Sequence, residues 1–170
     1  LFCRFRNRII DCTDLFEEVI TNDGICYTFN MQNASEIFSD IEYRHGEMRD
    51  ESQWNLHDGY KNEEEFEAYP HRALPNADYG FNIVMSLKNS DIDHMCKGPV
   101  QGFKVKVHSP EEFPQMSNGA FRVPLNEEIM VGLKAEMSVD GRKYDGSCHT
   151  KSTKTLKYFK DYSQMNCQSE

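Results

Sequence analysis

The stretch FNIVMSLK, residues 81–88, decides the fold class of this 170-residue chain. From Phe81 and Ile83 onward every second residue is apolar, and mostly polar residues stand between them. Alternation with a period of two is typical of a β-strand with one buried face. FKVKVH at 103–108 and IMVGLKAEMSV at 129–139 repeat the pattern, with His108 on the solvent face. Strands that bury only one face predict an antiparallel sheet.

Helical spacing replaces alternation towards the N-terminus. One group of apolar residues follows Cys12 and another follows Ser35: Leu15, Phe16, Val19 and Ile20, then Ile37, Phe38 and Ile41. Asn22-Asp23-Gly24 predicts the end of the first helix, and a strand that begins at Cys26 separates the two. We therefore predict an α+β fold with a helical N-terminal region and an antiparallel sheet at its core.

Composition and motifs exclude several function classes. The net charge of −9 disfavours nucleic acid and anionic membranes as partners. No window approaches the roughly 18 apolar residues of a membrane helix. Nucleophile-elbow, phosphate-loop and H-E-x-x-H patterns are absent from the sequence. Adjacent Glu111 and Glu112 can form an acid/base pair. Because they lie between two prolines, a charged surface turn is the simpler interpretation. We predict no enzyme and no cofactor.

Six cysteines indicate an oxidising compartment. No C-x-x-C pair occurs, and the two close His/Cys pairs at 94–96 and 148–149 have no matching partner pair. A zinc site is therefore disfavoured and disulfides are favoured. The glycosylation acceptor Asn33, in Asn-Ala-Ser, points to the same extracellular setting.

The segment from 47 to 67 holds eight carboxylates against the two cations Arg49 and Lys61. A solvated loop is the simpler interpretation. A cation-binding patch is the alternative.

Several stretches together resemble one family, the epithelial sodium channel and degenerin family of amiloride-sensitive sodium channels. They follow the family order and are spread over almost the whole chain: CRFRNRIIDCTDLFEEVITNDGICYTFN (3–30), WNLHDGY (54–60), YPHRALPNADYGFNIVMSL (69–87), GFKVKVHSPEEFP (102–114) and TLKYFKDYSQMNCQSE (155–170). The amino-acid sequence of these stretches is most similar to that of insect pickpocket subunits. Phe81 and Pro75 depart from the residues usual in the family.

The resemblance implies a subunit of a trimeric, cation-selective channel, of which this chain is part of the extracellular domain. Residues 1–75 would form a finger-like region, 76–150 the strands of a β-ball and palm, and 151–170 the start of a helical thumb. The implied partners are other subunits, in a homo- or heterotrimer, and sodium ions. The pore and both membrane helices would lie outside this chain. The chain itself would lie on the extracellular side of the plasma membrane.

The resemblance also implies roles for individual residues. Cys3 resembles the partner of Cys12 in a local disulfide. Three other cysteines resemble ones whose partners lie elsewhere in the subunit: Cys26, Cys148 and Cys167. The resemblance assigns no partner to Cys96. Glu111 and Glu112 resemble the acidic pair of acid-sensing relatives, in which crowded carboxylates raise one another's pKa. Peptide, mechanical or constitutive gating fits the sequence equally well.

A secreted, disulfide-stapled binding module without membrane attachment is the alternative function. It accounts for the cysteines, the sequon and the acidity. Apolar helices on both sides of the chain would distinguish the channel from the module.

Overall fold

The structure is a computed structural model that describes residues 1–39, 51–56, 58–62, 67–72, 80–88, 90, 92, 101–134, 136 and 155–169. The strands in these residues are β1 (Phe2–Phe5), β2 (Arg8–Ile10), β3 (Phe16–Thr21), β4 (Gly24–Phe29), β5 (Trp54–Asn55), β6 (Gly59–Tyr60), β7 (Phe81–Val84), β8 (Phe103–Val105) and β9 (Phe121–Val123). The helices are α1 (Cys12–Leu15), α2 (Ala34–Ile37) and α3 (Gln164–Ser169).

The largest described sheet has three strands in the order β2-β1-β7, all antiparallel to their neighbours. A two-residue turn joins β1 to β2, and both of its residues have positive φ, 49° at Arg6 and 63° at Asn7. Such a turn matches the twist of a tight hairpin. Cys3 faces Ile83 across the sheet, so the predicted alternation of residues 81–88 is confirmed over β7.

The helix predicted after Cys12 is wrong beyond its first turn. Helix α1 ends at Leu15, and the chain continues as β3, which pairs with β4 along its whole length. β-branched residues favour strands, and here Val19 is 8% exposed while Ile20 is 69% exposed. The predicted helix stop at residues 22–24 is therefore the turn of a hairpin. The strand predicted from Cys26 is confirmed as part of β4.

Two smaller hairpins complete the described strands. β5 pairs with β6 and β8 pairs with β9, both antiparallel. The predicted strand at 103–108 is confirmed at its start, but it ends at Val105. The hairpin β5–β6 lies inside the acidic segment, so the described part of that segment is not simply a loop.

The alternating run at 129–139 is not a strand where the structure describes it. Residues 127–134 have no regular secondary structure, and Ile129, Val131 and Leu133 are 43%, 50% and 71% exposed. An alternating sequence forms a strand only where another strand accepts its backbone hydrogen bonds, and no described strand lies beside this run. Most of the remaining predicted run lies outside the described residues.

Two buried clusters hold the described elements together. The first cluster surrounds Cys3, Phe5, Cys12 and Leu15. Phe29 and Phe81 stack over it with ring centroids 4.7 Å apart and planes 8° apart. This geometry brings the three-stranded sheet against the β3–β4 hairpin.

The second cluster joins distant parts of the chain. It contains Val19, Met31, Ile37 and Phe159. The N–H of Lys160 donates to the carbonyl of Ile37 at 2.8 Å. The segment 155–169 is thereby fastened to the N-terminal third. The described chain is α+β with small antiparallel sheets, as predicted in class, but its N-terminal third is mostly strand rather than helix.

Candidate functional site

The turn that carries Glu111 and Glu112 is held by backbone hydrogen bonds on both sides. The N–H of Glu112 donates to the carbonyl of Ser109 at 3.0 Å, and the N–H of Gln32 donates to the carbonyl of Pro110 at 2.9 Å. The turn therefore packs against the chain between β4 and α2. Glu111 becomes 6% exposed, whereas Glu112 stays half-buried.

Glu111 lines a cavity of about 340 Å³ together with acidic residues from two other, distant segments. The other two acidic residues are Asp58 and Asp161, and the rest of the lining is Gln32, Asn55, Leu56 and Tyr162. No lysine, arginine or histidine is among these lining residues. We call this space the acidic cavity. Because like charges in a partly dry space repel one another, a proton or a cation that enters would stabilise it.

The wall formed by Asn55 and Asp58 is pre-arranged by their mutual hydrogen bonds. The N–H of Asp58 donates to Oδ1 of Asn55 at 2.8 Å, and Nδ2 of Asn55 donates to Oδ2 of Asp58 at 3.2 Å. Further back, Nε2 of Gln32 donates to Oγ of Ser52 at 3.0 Å and to the carbonyl of Trp54 at 3.1 Å. These bonds fix the position of the β5–β6 hairpin beside the Glu111 turn.

Asn166 of α3 connects the Glu111 turn to the opposite wall. Its side chain is fully buried. Oδ1 accepts from the N–H of Phe113 at 3.2 Å, and Nδ2 donates to the carbonyls of Glu111 at 3.4 Å and Asp161 at 3.1 Å. One amide thus holds the backbones of two residues that line the acidic cavity.

His108 does not lie on the solvent face that its alternation predicts. Nδ1 lies 2.8 Å from the carbonyl of Ser109, and Nε2 lies 3.3 Å from Oγ1 of the buried Thr28. Since a carbonyl only accepts, Nδ1 carries a proton and Nε2 of the neutral ring accepts from Thr28. Burial lowers the pKa of His108, although the backbone of Ser109 and the carboxylate of Glu112 oppose this shift. The prediction failed because β8 ends at Val105 and the alternation ends with it.

Lys106 fixes the far side of the same loop. Its Nζ donates to the carbonyls of Gln115 at 2.8 Å and Asn118 at 2.7 Å. Partial burial lowers the pKa of Lys106, and the Glu112 carboxylate opposes the shift. The loop between β8 and β9 is therefore anchored by side chains at several points rather than only by its strands.

A larger cavity of about 690 Å³ lies on the other side of the Glu111 turn. Aromatic rings and uncharged polar groups line it: Asn22, Phe38, Phe113, Pro114, Gln115, Ser117, Tyr158, Phe159, Gln168 and Ser169. We call this space the aromatic cavity. Glu111 and Phe113, two residues apart, thus face different cavities.

The cysteines divide into one bonded pair and two thiols in the described residues. Cys3 and Cys12 are joined by a disulfide with their Cα atoms 5.3 Å apart. Cys26 and Cys167 carry no disulfide and are half-buried, and the sulfur of Cys26 lies 3.2 Å from Oγ1 of Thr21. Cys96 and Cys148 lie outside the described residues.

The predicted glycosylation acceptor lies at the start of α2. Asn33 is 8% exposed, and its N–H donates to Oε2 of Glu36 at 3.1 Å. Glycosylation of Asn33 stays a prediction, and a glycan there would need this side chain to turn outward.

Sequence reasoning found one wall of the acidic cavity and missed the others. Asp161 lies within the family-like stretch 155–170, and Asp58 lies within the acidic segment, but no local pattern joins either of them to Glu111. Asn166 has no sequence signal. In the described part of the chain, no cluster of three or more His, Cys, Asp or Glu side chains is arranged to hold a metal ion.

The family model of the amiloride-sensitive sodium channel matches residues 1–170, the full length of the chain. The chain belongs to the amiloride-sensitive sodium channel family. The resemblance read from its motifs is therefore confirmed. No solved structure matches the chain significantly.

The curated relatives of this sodium channel family member are insect proteins. Pickpocket protein 28 of Drosophila melanogaster is 31% identical over 187 residues, which cover 100% of the chain and 30% of the relative. The sodium channel protein Nach of Drosophila ananassae is 21% identical over 98% of the chain and 27% of the relative. Nach of Drosophila melanogaster is 22% identical over 98% of the chain and 30% of the relative.

The chain therefore spans about 30% of the length of the curated relatives that it matches. None of the described helices has the length and apolar character that a membrane crossing requires. The family and the two Nach relatives are named as sodium channels rather than enzymes, which agrees with the prediction of a non-enzyme.

Proposed function

We propose that this chain is a segment of the extracellular domain of a sodium channel subunit, and that its acidic cavity couples an extracellular signal to opening of the pore. The subunit would assemble with others into a homo- or heterotrimer in the plasma membrane. Sodium ions would pass through a pore formed elsewhere in the subunit. Membership in the family supports this proposal.

The observation that carries the coupling role is that three acidic residues from distant segments line one cavity. Glu111, Asp58 and Asp161 come from three segments, each fastened to the next by the hydrogen bonds described above. Mutual repulsion favours a wider cavity, and a proton or a cation that neutralises one of the carboxylates favours a narrower one. The three segments would therefore move relative to one another when the cavity is occupied.

The segment 155–169 is the element that would carry this movement onward. Asp161 borders the acidic cavity, and α3 follows directly in the chain. The sequence of this segment resembles the start of the family's thumb. Displacement of Asp161 would shift α3 and, through the rest of the thumb, bias the equilibrium between closed and open channels.

The cysteines outside the Cys3–Cys12 disulfide fit the same proposal. Cys26 and Cys167 would pair with cysteines in other parts of the subunit, as would Cys148. The partner of Cys96 is not assigned. Reduction of these bonds would loosen the attachment of the segment to the remainder of the extracellular domain.

The test replaces Glu111 and Glu112 together by Gln in the complete subunit. Sodium current is measured while extracellular pH is stepped from 8 to 5, and surface biotinylation corrects for delivery. We expect the double variant to change the proton response, because Gln keeps the shape of each side chain and removes its charge. Glu127→Gln with Glu128→Gln is the matched control, since this second adjacent pair is exposed and lies outside both cavities. Equal behaviour of the two double variants would refute the role of the Glu111 turn.

A further inference from the structure

Asn166 is hydrogen-bonded to the backbones of residues that line the acidic cavity and the aromatic cavity. Its amide binds the carbonyl of Glu111, on the acidic side, and the N–H of Phe113, on the aromatic side. The same amide binds the carbonyl of Asp161 on the opposite acidic wall. A single buried group therefore contacts the C-terminal side of the turn at two points and also the segment that contains Asp161.

Helix α3 spans the same two cavities. Its start follows Asp161 and Tyr162, which line the acidic cavity, and its end contributes Gln168 and Ser169 to the aromatic cavity. Ser163 caps the helix, because its Oγ accepts from the N–H of Asn166 at 3.1 Å. At the other end, Nε2 of Gln115 donates to Oγ of Ser169 at 2.6 Å. The helix is thus bonded to the turn at its centre and at its end.

We propose that Asn166 is the positioning residue that couples the two cavities, so that a change in the acidic cavity alters the shape of the aromatic cavity. This inference rests on the proposed function of the Glu111 turn and adds the route by which α3 responds to it. If the turn moves, the amide of Asn166 transmits the displacement to Asp161 and α3 as one body. The aromatic cavity changes because Phe113 and Ser169 move with the two ends of this connection.

The chemistry of an amide suits this position. Asn supplies two donors and an acceptor on one short side chain, and here both donors face carbonyls while the acceptor faces an N–H. An aliphatic residue of similar size would leave three buried backbone groups without this partner. Buried polar groups that lose a partner destabilise the arrangement that contains them, so the turn and α3 would separate.

The charged groups around the turn belong to several elements. Asp58 and Asp161 face Glu111 across the acidic cavity. His108, Lys106 and Glu112 lie on the same loop as Glu111, and burial lowers the pKa of the first two. Asn166 itself does not titrate. Replacing it by an uncharged residue therefore tests the connection without adding a proton-binding group.

The experiment measures the proton response of sodium current in the complete subunit that carries Asn166→Leu or the milder Asn166→Ser. Each variant is made alone and in the background of Glu111→Gln with Glu112→Gln, which forms a double-mutant cycle. Gln164→Leu on the exposed side of α3 is the matched control. Surface biotinylation shows whether each variant reaches the membrane.

We expect each Asn166 variant to reach the surface and to shift the proton concentration for half-maximal response about five-fold, within the usual range of coupling between sites. Gln164→Leu should produce no shift. In the background that lacks the Glu111 and Glu112 carboxylates, the effect of the Asn166 variants should become much smaller, because the turn to which Asn166 is bonded then carries no charge.

Four results overturn the inference. Equal shifts in both backgrounds mean that Asn166 acts independently of the turn. An unchanged response of both surface-expressed Asn166 variants, while Glu111→Gln with Glu112→Gln does change it, means that the turn signals by another route. Failure of both Asn166 variants to reach the surface means that the amide only supports folding. An unchanged response in Glu111→Gln with Glu112→Gln alone refutes the proposed function, and the inference falls with it.

Discussion

Gly102 is the position at which the structure makes the sharpest prediction about stability. It directly precedes β8, and its φ is +132°, a conformation that side chains with a Cβ rarely adopt. A Cβ added there would lie 2.2 Å from the carbonyl oxygen of Val123 and 3.1 Å from Cα of Pro124. Because these are backbone atoms, no side-chain rotation relieves the contact. The Gly102→Ala variant must move β8 away from β9.

The expected cost follows from two contributions. A backbone held in a sparsely populated region costs about 1–3 kcal/mol, and each hydrogen bond lost from the β8–β9 ladder adds about 1 kcal/mol. We therefore expect Gly102→Ala to lower the free energy of unfolding by about 3 kcal/mol, a large share of the roughly 5–15 kcal/mol typical of a domain. Gly119→Ala is the control, with φ +69° and no atom within 4 Å of the added Cβ. It should cost only about 1–2 kcal/mol, the ordinary penalty of a left-handed residue.

The assay is urea unfolding of the oxidised chain, followed by the fluorescence of Trp54, its single tryptophan. The two alanine variants are compared at equal slope of the transition, so that the difference in midpoint reports stability. Equal losses in Gly102→Ala and Gly119→Ala would refute the close approach of residue 102 to β9. A loss below about 1 kcal/mol in Gly102→Ala would refute it as well.

Three further predictions follow from the cores and from His108. Phe29→Ala should lower the free energy of unfolding by about 3–5 kcal/mol because the ring stacks on the first cluster. Tyr27 is 66% exposed on the same strand, and Tyr27→Ala should change this free energy by no more than about 0.5 kcal/mol. Similar urea midpoints of the two variants would contradict the packing of Phe29. Replacing Cys3 and Cys12 together by Ser should cost about 3 kcal/mol, measured by thermal unfolding, and a variant as stable as the parent would contradict a structural role for that bond. The pKa of His108 is lower in the folded than in the unfolded chain, so the unfolded state takes up a proton first and stability should fall as the pH drops below about 6.5. His108→Gln should reduce this slope in urea titrations at several pH values, and an identical slope would contradict the burial of the ring.

Local patterns predicted the elements whose alternation coincides with a paired strand. β7 and the start of β8 fall in this class, because the face that the sequence makes apolar is the less exposed one. β4 was also predicted as a strand, although its Ile25 and Tyr27 are 64% and 66% exposed. Residues 16–21 do not fall in this class. The spacing of Leu15, Phe16, Val19 and Ile20 suits one face of a helix, but it also occurs where a single helical turn is followed by a strand. The pairing of β3 with β4 decided the outcome there, and the spacing of Val19 and Ile20 does not reveal it.

The acidic cavity shows a second limit. Glu111 was identifiable because it resembles a family motif in its own segment. Asp58, Asp161 and Asn166 reach the same place only through the packing of the second cluster and the hydrogen bonds of the β5–β6 hairpin. Contacts between residues 50 or more positions apart depend on the whole fold, and a single sequence carries no local periodicity that records them.

The fastening of residues 155–160 onto α2 has a consequence for biosynthesis. Nζ of Lys160 contacts the carbonyl of Ser35, 125 positions earlier. A ribosome that adds about 5–20 residues per second needs roughly 6–25 seconds after Ser35 to synthesise the chain as far as Lys160. During that interval the apolar side chains of Val19 and Ile37 lack the cover that Phe159 supplies in the finished fold. Binding of a chaperone to the nascent N-terminal third would therefore set the yield of this protein as much as the stability of its finished fold.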